Sequence, residues 1–136
     1  MKILLVEDDI MLNEMITEYI TSTGHAIKSV KTGNESLEIL DKEKFDLLIL
    51  DINLPDIDGF TILEKMHEQK RMIPTIYISA LIDIEDISRA FDLGCFDYLK
   101  KPFHLKELTL RINKILKTRI VPQRHKRLSK HYSFDA

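Results

Sequence analysis

Three short runs constrain this chain more than any other feature: KILLV at 2–6, DLLIL at 46–50 and IPTIYI at 73–78. None alternates apolar with polar residues, so none reads as a strand with one wet face. Nearly continuous apolar runs of this length mark strands buried on both faces. Between them the spacing shifts to a helical period. Ile10 to about Ser22 is expected to carry Met11, Leu12, Met15, Ile16, Tyr19 and Ile20 on one face, with Gly24 placed to end the helix. Residues 33–43, 58–70, 83–93 and His104 to about Thr118 read as four further helices. HAIKSV (25–30) reads as a less buried edge strand and DYLK (97–100) as a short fifth strand. Strict alternation of this kind predicts an α/β fold, a doubly wound five-stranded parallel sheet with five helices.

The residues at the ends of the runs carry the chemistry. KILLV is followed by Glu7, Asp8 and Asp9, DLLIL by Asp51, TIYI by Ser79 and DYLK by Lys101 and Pro102. In an open α/β sheet ligands bind beyond the carboxyl ends of the strands. All of these side chains are therefore expected on one edge of the sheet. Carboxylates gathered there repel one another, and a hard divalent cation such as Mg²⁺, which takes oxygen ligands, removes the conflict. Asp51 then fits the part of a nucleophile toward a phosphoryl group. Lys101 would offset charge on the phosphoryl oxygens and Ser79 would donate a hydroxyl to one of them.

Composition limits the alternatives. At 136 residues the chain suits one domain with a modest core. Its single cysteine, Cys95, allows no internal disulfide and fits a reducing cytosol, which places the protein in the cytoplasm. No apolar stretch approaches the about 20 residues of a membrane span, and MKILLVEDD does not resemble a signal peptide. The charge is uneven. Residues 1–118 carry 15 basic and 21 acidic residues, whereas 119–136 carry five basic and one acidic. The contrast predicts two regions, an acidic body and a basic tail.

VEDD, LLILDINLPDIDG, YISA and DYLKKPF together resemble the receiver domain of bacterial two-component response regulators, and the resemblance spans residues 1–118. It implies the flavodoxin-like strand order 2-1-3-4-5. It makes Asp51 the phosphoacceptor and Asp8 a direct ligand of Mg²⁺, with Glu7 acting through water and the carbonyl of Asn53 as a further ligand. Ser79 becomes the switch hydroxyl, Lys101 the phosphate partner and Tyr98 the switch aromatic. The Lys101–Pro102 bond is implied to be cis. The partner implied is a sensor histidine kinase, and the role is a phosphorylation-activated switch that modifies only itself and turns over no external substrate.

Several residues take structural readings. Asp9 is read as the N-cap of the first helix. Lys100 is read as a surface lysine, Cys95 as small and buried, and Met11, Met15, Met66 and Met72 as core or gap-filling side chains. In the tail, Pro122 breaks the preceding helix, and Arg124, His125, Lys126, Arg127 and Lys130 form a basic linker. HYSFDA resembles the entry into the winged-helix effector of OmpR-type regulators, so 119–136 is read as a linker leading into a truncated DNA-binding domain. DNA would be reached only through that absent domain.

OmpR-type receivers further imply a homodimer through residues 83–118. That dimer is expected when the chain is phosphorylated. Glu107, Arg111, Arg89, Asp92 and Asp97 are the expected charged partners. Ile87, Leu93 and Phe96 depart from the pattern by standing where charges are expected, and Ile87 and Phe96 are expected to make the contact more apolar. Leu81, two residues past Ser79, is expected to obstruct the water that would hydrolyse the phosphoryl group. Two other readings stay open. A stand-alone receiver acting as a phosphorelay or protein-interaction switch suits residues 1–118 equally well. An aspartyl-nucleophile phosphatase of the haloacid-dehalogenase type needs a second acid two residues past the nucleophile, where this chain has Asn53.

Overall fold

The computed structural model describes residues 1–80, 84–94 and 96–120. Leu81, Cys95, Pro122 and the basic tail lie outside the described residues, and so do the readings attached to them. Five strands, β1 (Lys2–Val6), β2 (Ala26–Val30), β3 (Leu47–Asp51), β4 (Thr75–Ser79) and β5 (Asp97–Lys100), alternate with five helices. These are α1 (Ile10–Ser22), α2 (Gly33–Lys42), α3 (Gly59–Glu68), α4 (Ile84–Asp92) and α5 (Leu105–Ile120). Every strand pair is parallel, and the sheet order is β2-β1-β3-β4-β5, as the resemblance implies.

The apolar runs are continuous because each residue serves one of two cores. In β1, Leu4 and Val6 join Leu48 and Leu50 of β3 on one face, covered by α2, α3 and α4. Ile3 and Leu5 join Leu47 and Ile49 on the other face, under α1 and α5. Side chains in a strand alternate between faces, so a strand buried on both sides has no position left for a polar residue. β2 is one of the two edge strands, with β5 at the other side, and keeps only partial burial, which fits its mixed sequence.

The ladder runs one residue further than the expected strand ends. Asp51 pairs in register with Ile78, and Ser79 with Lys100. Both functional candidates therefore sit inside regular strand backbone rather than in a loop.

The methionine reading is corrected at three positions. Met66 is buried, but Met11, Met15 and Met72 are exposed, Met11 at 73%. The buried stripe of α1 runs through Asn13, Ile16 and Ile20, which turns Met11 and Met15 outward. Ile87, Leu93 and Phe96 are only partly exposed, Leu93 and Phe96 packed against the cores. Among the described residues of this region the exposed large apolar side chains are Ile84, Phe91 and Leu110.

Helix starts follow the cap rules. Asp9 accepts from the Leu12 amide at 3.1 Å, Thr32 from Glu35 at 3.1 Å and Asp58 from Thr61 at 2.8 Å. Gly24, at φ +95°, follows α1 in the left-handed region that ends helices.

The start of α2 has a second, distant partner. Asp56, in the loop between β3 and α3, accepts from the amides of Gly33 and Asn34, each at 2.8 Å. Burial pushes the Asp56 carboxyl up, but the Asn34 and Gly33 amides outweigh it and hold the group below its ordinary value. Asp56→Ala is expected to cost about 1 kcal/mol at neutral pH. A carboxyl with a depressed folded pKa contributes stability above its unfolded value, about 3.9, and loses it as pH falls through the folded value. Urea unfolding of native and variant chains should therefore converge as the pH falls through the depressed folded value.

Candidate functional site

Glu7 follows directly on β1. Its amide donates to the carbonyl of Val30 at 3.1 Å, and its carbonyl accepts from the Asn13 side chain at 3.0 Å. Its carboxylate accepts from the Asp9 amide at 3.1 Å. Glu7 is fully buried, while Asp8 beside it is exposed. Asp51 closes β3 and is 3% exposed. One carboxylate oxygen of Asp51 accepts from the Asn53 amide at 3.1 Å. The other lies 3.1 Å from Lys101 Nζ.

Lys101 arrives from the end of β5. Its backbone amide donates to the carbonyl of Ser79 at 2.8 Å, and the bond to Pro102 is cis. The ammonium also lies 2.6 Å from Glu7 Oε1, bridging two acids carried by different strands. Ser79 is fully buried, and its hydroxyl accepts from the Asn53 side-chain amide at 3.3 Å.

Ligand oxygens of Glu7, Asp8 and Asp51 lie within 4.8 Å of one another. Burial pushes the Glu7 carboxyl up to about 7, against the opposing pull of Lys101 and the Asp9 amide, and the neighbouring Asp51 adds to the rise. Burial also acts to lower the Lys101 pKa, but Glu7 and Asp51 outweigh it and hold the ammonium above its usual value. One ammonium thus pairs with two of the three gathered acids, and a second cation there would be favourable. An all-oxygen set with one member open to solvent fits Mg²⁺, which keeps several waters and accepts one or two carboxylates.

The structure thus brings together Glu7, Asp8, Asp51, Asn53, Ser79 and Lys101. Tyr98 lies elsewhere, partly buried in a crevice with Ile52, Tyr77, Asp86, Ile87 and Ala90. Three of the five expected charged partners on the outer surface, Arg111, Asp97 and Arg89, make ion pairs within the chain. Arg111 reaches Asp97 at 2.7 Å and Arg89 reaches Glu64 at 3.0 Å.

Two contributors escaped the sequence reading. Asn13 lies on the buried face of α1 and bonds the Glu7 carbonyl. Its signal was the 13, 16, 20 spacing, which a polar residue inside the stripe concealed. Gly59 starts α3 directly against the phosphoacceptor candidate, its amide donating to the carbonyl of Ile52 at 2.8 Å. A Cβ placed on Gly59 would meet the Asp51 carbonyl oxygen at 2.8 Å and Ile52 Cα at 3.0 Å. The close approach answers why Gly follows the acidic loop, and a glycine after a Pro-marked turn was its only trace in the sequence.

Known proteins are similar to this chain in sequence and fold. The family described as "Response regulator receiver domain" matches residues 3–113. The transcriptional regulatory protein CrdR of Helicobacter pylori is 38% identical over 114 residues, covering 83% of this chain and 54% of that protein. The response regulator SaeR of Staphylococcus aureus is 35% identical over 133 residues, covering 98% of this chain and 57% of SaeR. The chain thus spans about half the length of the curated relatives it matches.

Among solved structures, the receiver domain of Francisella response regulator 1452 superposes with a TM-score of 0.82 at 29% identity, covering 87% of this chain and 98% of that one. The non-phosphorylated HemR receiver domain from Leptospira biflexa gives a TM-score of 0.79 at 33% identity, covering 84% and 92%. With the family match over most of its length and the same strand order, this chain belongs to the response regulator receiver domain family.

Proposed function

We propose that this chain is the phosphorylation-operated switch of a two-component system, with Asp51 as phosphoacceptor. The observation that carries the reading is the cluster of Glu7, Asp8 and Asp51 with Lys101 reaching two of the three. A carboxylate oxygen of Asp51 attacks the phosphorus of a phosphohistidine on a sensor kinase. The P–N bond breaks, and its electron pair leaves with the imidazole. Glu7, Asp8, Asp51 and the carbonyl of Asn53 would hold Mg²⁺, which neutralises charge on the transferring group. Lys101 leaves the Asp51 oxygen to pair with a phosphoryl oxygen, and Ser79 exchanges its contact with Asn53 for a bond to another. Tyr98, beside α4, then relays the movement to the α4–β5–α5 surface.

The chain modifies only itself. A residue able to act as a second acid in turnover of external substrates is replaced by Asn53. Among the described residues no helix is long and apolar enough to cross a membrane, and we place the protein in the cytoplasm with its kinase. We assign residues 1–118 to the switch and 119–136 to a basic linker. The match to transcriptional regulators about twice this length supports an output through a DNA-binding domain that follows.

The roles separate experimentally. Lys101→Ala is expected to retain Mg²⁺ binding, followed by titration calorimetry. Amide shifts in β5 and α4 on adding beryllofluoride should shrink severalfold. A variant that switches as fully as the native chain would remove Lys101 from the mechanism.

The activated chain is expected to dimerise through α4–β5–α5. Burial of Ile84, Phe91 and Leu110 would drive association at about 25 cal/mol per Å² of apolar area. Exposed charge pairs contribute only about 0–1 kcal/mol each. Sedimentation velocity with beryllofluoride should show a dimer that persists in high salt and is lost in Ile84→Asp. A persistent monomer, or an unaffected variant, would contradict the assignment.

A further inference from the structure

The fourth helix is held in place by less than its neighbours. Ala90 is its one buried residue, whereas α3 buries Gly59, Phe60, Ile62, Leu63 and Met66. Ile84 is 80% exposed and Phe91 46%. An element with so little buried apolar surface belongs to the low-stability end of a fold.

What reaches from α4 across to α3 is Arg89. Its guanidinium carbon lies 4.5 Å from the centroid of the Phe60 ring, and Nη2 donates to Glu64 Oε1 at 3.0 Å. Phe60 and Glu64 stand four residues apart on α3, so ring and carboxylate share one face of the helix. A planar guanidinium can stack on the first while reaching the second, which a lysine ammonium cannot do as well. The contact continues inward. The Phe60 ring meets Tyr77 edge-on at 5.4 Å. Tyr77 precedes Ser79 on β4 by two positions and shares the crevice with Tyr98 and Ile87.

We propose that Arg89, Phe60 and Glu64 form a latch that holds α4 in the resting position and so sets how readily the switch turns on. The proposal rests on the phosphorylation reading above. Arg89 and Glu64 are each about half exposed, and a stacked cation and an ion pair at such sites are individually weak. Weakness suits the role. A contact that shifts a population severalfold biases an equilibrium without preventing phosphorylation from reversing it.

Amide hydrogen exchange on the metal-free chain tests the latch itself. In Arg89→Ala, amides of residues 84–92 are expected to exchange about three- to tenfold faster. Those of α1 and α5 should not change, and Glu64→Gln should show a smaller effect in the same place. Beryllofluoride with Mg²⁺ should bind Arg89→Ala more tightly by the same factor, since the resting state it displaces is weaker. Unchanged exchange of α4 in both variants overturns the latch. Faster exchange without tighter beryllofluoride binding overturns its regulatory role. A native chain that takes up no beryllofluoride removes the phosphorylation reading, and the regulatory role with it, while exchange still judges the contact. If Arg89→Ala loosens the whole chain, Arg89→Lys, which keeps the charge and loses the fork, is judged on the same two measurements.

Discussion

Incubated with Mg²⁺ and acetyl phosphate, the native chain is expected to gain one phosphoryl group by intact-mass analysis, and Asp51→Asn none. The loss should be complete rather than partial. Glu7 is buried and paired with Lys101, so it is poorly placed to replace Asp51 as a nucleophile. Among the described residues Asp8 has no ammonium contact comparable to that of Lys101 with Asp51. Unfolding is not expected to cause the loss. The substitution removes one of three crowded carboxylates, and with it part of what holds the Glu7 carboxyl up. Circular dichroism should show a folded variant. Labelling of Asp51→Asn at the native level would move the phosphoacceptor to another residue and dismantle the reading of the site.

Gly59→Ala is expected to have the next largest effect, although the residue has no side chain and touches no ligand. The added Cβ would lie 2.8 Å from the Asp51 carbonyl oxygen. Backbone on both sides of that contact belongs to regular elements, β3 and α3, and neither yields without moving the other. Overpacking of this kind costs about 1–3 kcal/mol, readable by urea unfolding. Phosphorylation should suffer more than stability does. A displacement of about 1 Å in a reacting group can cost about 10²-fold in rate, and the clash falls on the residue that carries the nucleophile. Gly24→Ala supplies the contrast. Gly24 also needs its glycine, for a φ of +95°, but nothing lies within 4 Å of its Cβ position. It should lose about 1 kcal/mol and label at the native rate. Equal labelling rates for the two variants would show that Gly59 does not hold Asp51 in place.

The sheet was legible because its strands serve two cores, and a run such as LLIL, too short for a helix and bounded by polar residues, fits a strand buried on both faces. The site was legible for a related reason. Polar residues at the ends of such runs have one edge of the sheet to occupy, and Glu7, Asp8, Asp51, Ser79 and Lys101 occupy it. Details that depend on backbone contacts were not legible. Strand ends are fixed by hydrogen bonds of neighbouring strands, which carry Asp51 and Ser79 into the ladder whatever their side chains. Methionine suits a core or a surface, and the turn of α1 that exposes Met11 and Met15 depends on Asn13 bonding two distant carbonyls. The bond from the Asn53 side chain to Ser79 is likewise a matter of where a loop passes. The ion pairs that Arg89 and Arg111 make within their own chain were not legible either, because spacing along a single helix does not reveal them.

The bridge from Lys101 to Glu7 and Asp51 joins the last strand of the domain to the first and the third. No piece of the chain that stops short of Lys101 can assemble it. A polypeptide emerging from the ribosome carries Asp51 well before it carries Lys101, so the acids can gain their ammonium only once the last strand has been made.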